Sequence, residues 1–374
     1  MTISWTREQV GLIVDDPATC TPVLTAAETG RMIPDLYLWD LWPVRLSDGA
    51  VALVDGREIW MALSAPSRLD PGQRHDAARI RIISWGGGGW VDHGPLFPEG
   101  ASLGSREWAG CATFDPESGA LEVCYTASGR RGESAPTFVQ RIVRTVGGLR
   151  SGEVRAQDWE PHVEAVTAGG RYRSTAEQDT GEPGFIKAFR DPFRFDDPAG
   201  SGRYLLFTAS LVDSKTEFDG AIGIAREGEA GYRLLPPLIE ADGVNNELER
   251  PHLVVRDGAY YLFFSTQART FHPDVAGPTG LYGFVGDSLS GPWQPLNGSA
   301  LVLRNPFQEP FQAYSWLVLP NLEVASFIDF HSLRGRRPED VEGAGQGRAH
   351  FGGTLAPIEK ISLDGATASL QPRR

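Results

Sequence analysis

The sequence predicts a large all-β architecture, either stacked sandwiches or a propeller, and three observations carry that reading. Short β-prone runs bounded by turn residues recur from about residue 36 to the end of the 374-residue chain. Long helical periodicity is nearly absent. The runs also come in hairpin pairs, a rhythm that belongs to sandwiches and propellers.

In chain order, residues 1–35 read as a weakly structured lead-in. Cys111-Ala-Thr-Phe, a turn at Asp115-Pro-Glu-Ser-Gly119, and Ala120 to Thr126 form the first clear hairpin, because Pro and Gly punctuate two β-prone segments. Ile222 to Ala225 and Tyr232 to Leu235 repeat the pattern around a turn at Arg226 to Gly231. His252 to Val255 and Ala259 to Phe264 repeat it around Arg256-Asp-Gly258. Leu333 to Arg348, rich in Gly and Arg, reads as a mobile surface loop. No repeat is visible in the letters, and the expected organisation is a lead-in at 1–29 followed by one domain at 30–374.

The formal net charge of −13 lacks the footprint of a polyanion binder, which argues against nucleic acid and anionic membranes as partners. Only Lys187, Lys215 and Lys360 are lysines, so Schiff-base and P-loop chemistry have almost no candidates. Cys20, Cys111 and Cys124 form no CxxC pair or zinc spacing. A Cys111–Cys124 bridge stays open, with buried free thiols favoured. The first residues carry no basic segment followed by an apolar one, so no cleavable signal peptide is expected, and the location is cytoplasmic or reached by signal-independent export.

Three acidic positions stand beside aromatic, Arg or Pro residues. Asp40 lies in Leu38-Trp-Asp-Leu-Trp-Pro43, where a carboxylate between tryptophans is costly unless hydrogen-bonded or functional. Alone it also reads as a turn cap before Pro43. Asp191 lies in Phe189-Arg190-Asp-Pro-Phe193, which alone reads as a structural ion pair. In Glu247-Leu-Glu249-Arg250-Pro-His252, alternation along an extended strand aims both glutamates to one face. Their repulsion should raise one pKa, whereas the bland alternative is a solvated face balanced by Arg250.

Together, Trp-Asp-x-Trp-Pro, Arg-Asp-Pro and Glu-x-Glu-Arg-Pro-His, in this order, resemble the active-site motifs of glycoside hydrolase family 68, the levansucrases, inulosucrases and related β-fructofuranosidases. Ser105-Arg-Glu-Trp108-Ala-Gly-Cys111 resembles the family's Glu-Trp-Ser-Gly segment, His75-Asp-Ala-Ala-Arg-Ile80 its Asp-x-Ala-Arg-Ile strand, and Gln312-Ala-Tyr-Ser315 a further family segment. The resemblance runs from roughly Asp35 to Pro357. It implies a single five-bladed β-propeller with an axial pocket, no cofactor, and sucrose and fructooligosaccharides as substrates or acceptors. It implies that Asp40 is the nucleophile, Glu249 the acid/base and Asp191 the transition-state stabiliser of a retaining fructosyltransferase, with a hydrolysis-dominated β-fructofuranosidase as the alternative. A non-catalytic fructoside-binding propeller is the rival of another class, and the presence of all three carboxylates speaks against it. Trp39 and Trp108 become apolar walls, and Arg190, Glu247 and Tyr314 hydrogen-bond the sugars.

Four departures stand out against the same family pattern. Ala109 takes the place of a serine that hydrogen-bonds the nucleophile. Gln267 takes the place of a charged acceptor-subsite residue, which implies more hydrolysis and shorter products. Arg57 replaces a frequent tryptophan. Asn246 replaces an aspartate of the calcium site found in the Gram-positive branch, so no bound metal is expected.

Overall fold

The computed structural model describes residues 2–373 except 151, 153, 177 and 179–185. Five antiparallel sheets follow one another along the chain and surround a common axis as the blades of a β-propeller. Blade I comprises Leu36–Arg45, Arg57–Pro66, Arg79–Gly86 and Gly89–Pro95. Blade II comprises Arg106–Asp115, Ala120–Ser128, Gln140–Arg150 and Arg155–Gln157. Blade III comprises Phe189–Asp196, Arg203–Ser210, Gly220–Gly228 and Gly231–Glu240. Blade IV comprises Glu249–Arg256, Ala259–Thr266, Gly280–Gly286 and Trp293–Pro295, with Leu301–Arg304 beside its third strand. Blade V comprises Ala313–Val318, Glu323–Phe330, Glu359–Asp364 and Thr367–Leu370, with Phe351–Leu355 against its second strand.

The three hairpins expected from turn chemistry are the first two strands of blade II, the last two of blade III and the first two of blade IV. Blades I and II are joined where Val44 and Arg45 run parallel to Ala112 and Thr113. Blade V meets blade I edge to face, with the Phe351 and Tyr37 rings 4.9 Å apart. Cys111 and Cys124 sit opposite each other in blade II as buried free thiols.

The first strand of each blade faces the axis, and each breaks its pairing register at one point. The breaks fall between Trp39 and Trp42, Trp108 and Gly110, Arg190 and Phe193, Glu249 and His252, and Tyr314 and Leu317. A β-bulge locally kinks a strand and re-aims its side chains. In four of the five the bulged residue takes a positive φ: Asp40 at 48°, Asp191 at 55°, Arg250 at 52° and Ser315 at 61°. That region is sparsely populated by non-glycine residues, so surrounding packing must hold it. In blade II the break is at Gly110, where a Cβ would fall 2.1 Å from the Cys124 carbonyl oxygen, so the close approach of the two strands admits only glycine.

Two expectations are corrected. The lead-in is not weakly structured. Ile3–Ser4 extends blade III in parallel with Ile239 and Glu240. Trp5, 1% exposed, packs on Phe264, Phe271 and Tyr282 of blade IV and its vicinity, while its Nε1 donates to the Ser299 carbonyl. The Leu333 to Arg348 segment is folded as well: it carries the helices Pro338–Gly343 and Gly347–His350 and is anchored by the buried Leu333 and Val341. Its Gly and Arg content suggested mobility, but those two apolar anchors outweigh it.

Because Trp5 is a full core residue, Trp5→Ala should cost about 3–5 kcal/mol in chemical denaturation, the range for deleting a buried aromatic. A change within error would mean that the lead-in only drapes over the surface.

Candidate active site

Each register break presents two adjacent residues to the axis: Trp39 and Asp40, Trp108 and Ala109, Arg190 and Asp191, Glu249 and Arg250, Tyr314 and Ser315. All ten line one axial cavity of about 470 Å³. The cavity also gathers Glu247, Gln267, Arg74, His75, Arg269 and Asp329. Every residue the sequence singled out for catalysis or sugar binding therefore reaches one space. Arg57 does not; its guanidinium caps the hairpin between the third and fourth strands of blade I through Ser84 Oγ, Gly86 O and Gly89 O.

The walls come first. The His75 imidazole stands between the two tryptophans, edge-on to Trp39 at 5.6 Å and to Trp108 at 6.3 Å. Burial and nearby guanidinium groups, Arg74 foremost, hold its pKa well below the usual histidine value, so it is a neutral spacer. Pro71–Ala77 is a 3₁₀ turn, and the strand expected at His75 begins only at Arg79.

On the opposite side, the Arg190 guanidinium touches three carboxylates. Its Nη2 is 3.1 Å from Glu249 Oε1 and 3.3 Å from Glu247 Oε1, and its Nε is 3.7 Å from Asp191 Oδ2. Glu247 lies just before the strand that begins at Glu249, yet both side chains reach Arg190, as alternation requires. The Tyr314 hydroxyl donates to the other Glu249 oxygen. Burial pushes Glu247 to about 7 against the pull of Arg190, with the Glu249 charge adding to the rise, so Glu247 retains a proton into the neutral range.

Asp191 is pushed to about 7 by burial, with Arg190 opposing and Glu249 and Asp40 adding repulsion. Its Oδ2 accepts from Thr208 Oγ1 at 3.1 Å and from the Arg250 amide at 3.3 Å. Asp40 is also raised by burial; Arg250 and the Ser315 hydroxyl are what favour its ionised form. Ala109 therefore does not leave Asp40 without a hydroxyl partner, because blade V supplies one through Ser315. Arg250 Nη1 donates to Ser315 Oγ at 2.6 Å, which leaves the hydroxyl proton for Asp40.

Gln267 lines the pocket as expected, but Arg269, two residues on, lines it too. The expectation that this end lacks a cation is therefore corrected. Arg269 comes within 4.0 Å of Glu339 on the helix Pro338–Gly343, across the mouth of the cavity. Asp329 lies at the same end, pushed to about 6 by burial and held down by Arg74 and Arg269. Sequence reading missed Arg74, Arg269 and Asp329 because no local pattern marks them. Ser315 was missed as well, and Arg250 was read only as a balancing charge, because their partners lie in other blades.

Comparison with known proteins agrees with this geometry. The family model described as Levansucrase/Invertase matches residues 1–220 and 215–373. The chain is 32% identical to levansucrase LscC of Pseudomonas savastanoi pv. glycinea, over 98% of this chain and 90% of that one. It is 34% identical to a levansucrase of Zymomonas mobilis, over 96% and 88%. Among solved structures, the inulosucrase of Halalkalicoccus jeotgali bound to kestose superposes with a TM-score of 0.91 at 40% identity, covering 99% of this chain and 95% of that one.

A carboxylate whose folded pKa is raised stabilises the fold in its protonated form, and that stability is lost as pH rises through the folded value. For Asp191 the window runs from its ordinary 3.8 to about 7. Asp191→Asn should therefore flatten the decline in Tm between about pH 4 and 7 and make the variant the more stable protein at pH 8, above that window. Parallel Tm-against-pH curves for variant and wild type would contradict the assigned burial cost.

Proposed function

We propose, from the premise that this chain belongs to the levansucrase/invertase family of glycoside hydrolases, family 68, that its axial pocket carries out retaining fructosyl transfer from sucrose. The protein is an enzyme, a sucrose-cleaving fructosyltransferase. The observation that carries the residue assignment is the convergence of Asp40, Asp191 and Glu249 in one cavity between two tryptophans, with Arg190 bridging the acids.

In the proposed first step an Asp40 oxygen attacks the anomeric carbon of the fructosyl unit. The glycosidic C–O bond breaks, and Glu249 gives its proton to the departing glucose oxygen. Two donors favour the ionised nucleophile, the Ser315 hydroxyl and the Arg250 charge. Asp191 faces the positive charge that develops on the ring, a role worth most in the transition state. In the second step Glu249 takes the proton of an acceptor hydroxyl, whose oxygen displaces Asp40 and restores both carboxyl groups. Arg190 and Tyr314 each hold one Glu249 oxygen, so the acid/base stays aimed through both steps.

The fate of the fructosyl-enzyme depends on how long a sugar acceptor stays at the mouth. Arg269 can grip it with charge-assisted hydrogen bonds, roughly twice as strong as the neutral bonds of Gln267. Acceptors in this reading are sucrose and growing fructooligosaccharides.

Asp40→Ala should abolish glucose release from sucrose while leaving Tm within a few degrees of wild type; appreciable release by the folded variant would remove Asp40 from its role. Glu249→Gln should lower kcat by about 10²–10⁴-fold, as loss of a general acid does. If it matched wild type, Glu247 would be the better acid. Arg269→Ala should raise the ratio of free fructose to glucose at high sucrose and shorten the products. An unchanged ratio would place the acceptor grip elsewhere.

A further inference from the structure

Behind blade III, the Lys187 ammonium gathers four oxygens from two other segments. Its Nζ lies 2.8 Å from the Glu217 carbonyl and 2.9 Å from Glu217 Oε2. It lies 3.0 Å from Asp219 Oδ1 and 3.3 Å from Asn246 Oδ1. Asp219 is wholly buried and its second oxygen faces Arg173 at 3.3 Å, whereas Glu217 is largely exposed. Asn246 is the position that aligned with a calcium ligand in one branch of the family. The residues here do not fit a divalent ion: the side chain at 246 is a neutral amide, and an ammonium already holds the carbonyl and carboxylate oxygens that an ion would need.

We propose that Lys187 is a built-in cation, which ties the approach to blade III to the segment carrying Glu247 and so positions the catalytic acids without a metal. The connections at both ends are short. The Lys187 carbonyl accepts from Gln140 Nε2 at 2.8 Å. Gln140 Oε1 in turn accepts from the Phe189 amide at 3.1 Å and from Arg190 Nη1 at 3.4 Å. At the other end Asn246 directly precedes Glu247, whose amide donates to Asn245 Oδ1 at 2.8 Å. One cation therefore sets Arg190 and Glu247, which meet at 3.3 Å, from opposite sides. Among the described residues the Lys187 ammonium bonds Glu217, Asp219 and Asn246, none of which lines the pocket, so it is a positioning residue. A monovalent ammonium with three donors can satisfy this oxygen set only while the third side chain is neutral, and Asn246 meets that condition.

Two variants test this independently of the reaction assigned above, since melting temperature is read alongside glucose release. Lys187→Met keeps the length of the stem and removes the charge, leaving Asp219 buried with less compensation. Its Tm should fall, and its kcat should fall several-fold. Lys187→Ala combined with Asn246→Asp offers three carboxylates and no ammonium. Millimolar calcium chloride should raise its Tm and restore kcat, and a chelator should reverse both, while neither reagent changes wild type. A wild-type Tm that drops with chelator would overturn the proposal. So would a Lys187→Met protein indistinguishable from wild type, or a double variant indifferent to calcium.

Discussion

Everything at the centre of this molecule depends on one backbone device, the bulge that recurs at the same level in the innermost strand of all five blades. A regular strand alternates its side chains and would send only every second residue to the axis. The bulge turns two consecutive side chains toward it, so five strands deliver ten groups to a cavity of about 470 Å³. Arg250 holds this level together. It is nearly buried and belongs to blade IV, yet its Nη2 donates to the Leu41 carbonyl of blade I at 2.8 Å and its Nη1 to Ser315 of blade V, while its amide reaches Asp191 of blade III. A lysine could not replace it, because a single ammonium lacks the planar fork that addresses two blades at once.

The same arrangement explains how several acids can be crowded out of water. Asp40, Asp191, Glu247 and Glu249 share the space with Arg190 and Arg250, and burial, with repulsion between the carboxylates adding to it, raises the pKa values of Asp191 and Glu247. Such a site costs stability when its acids ionise and supplies the charge that a fructosyl cation needs, a tension expected of functional sites. The cost is borne by the surrounding sheets. Ionic and polar links between blades, such as Thr126 Oγ1 accepting from the Asp191 amide at 2.9 Å, keep the strained residues in place.

Much of this was legible in the sequence where information is local. Turn residues marked the hairpins, and the three acidic segments announced themselves by an acid set against Trp, Arg or Pro. The pairing of Glu247 and Glu249 on one face followed from strand alternation alone. What stayed hidden depends on sequence-distant partners. Nothing near Ser315 says that its hydroxyl serves Asp40, 275 positions earlier by numbering. The Arg269 charge acts on Asp329 only because the fold brings blades IV and V to one cavity. The Leu333 to Arg348 loop misled because glycine and arginine content describes surface, whereas the two buried anchors Leu333 and Val341 decide that it folds back. The repeat itself was invisible in letters, since Trp-Asp, Trp-Ala, Arg-Asp, Glu-Arg and Tyr-Ser occupy equivalent register breaks with no residue type common to all five.

The central claim is that Asp40 bonds to the fructosyl unit while Glu249 manages the proton. Incubating Glu249→Gln with β-fructosyl fluoride, whose leaving group needs no protonation, tests it most directly. Loading of the nucleophile should then proceed while release, which needs the base, stalls. Peptide mass spectrometry after quenching should find one fructosyl unit on Asp40. A fructosyl adduct on Asp191 or Glu247, or no adduct while fluoride is released slowly and stoichiometrically, would contradict it.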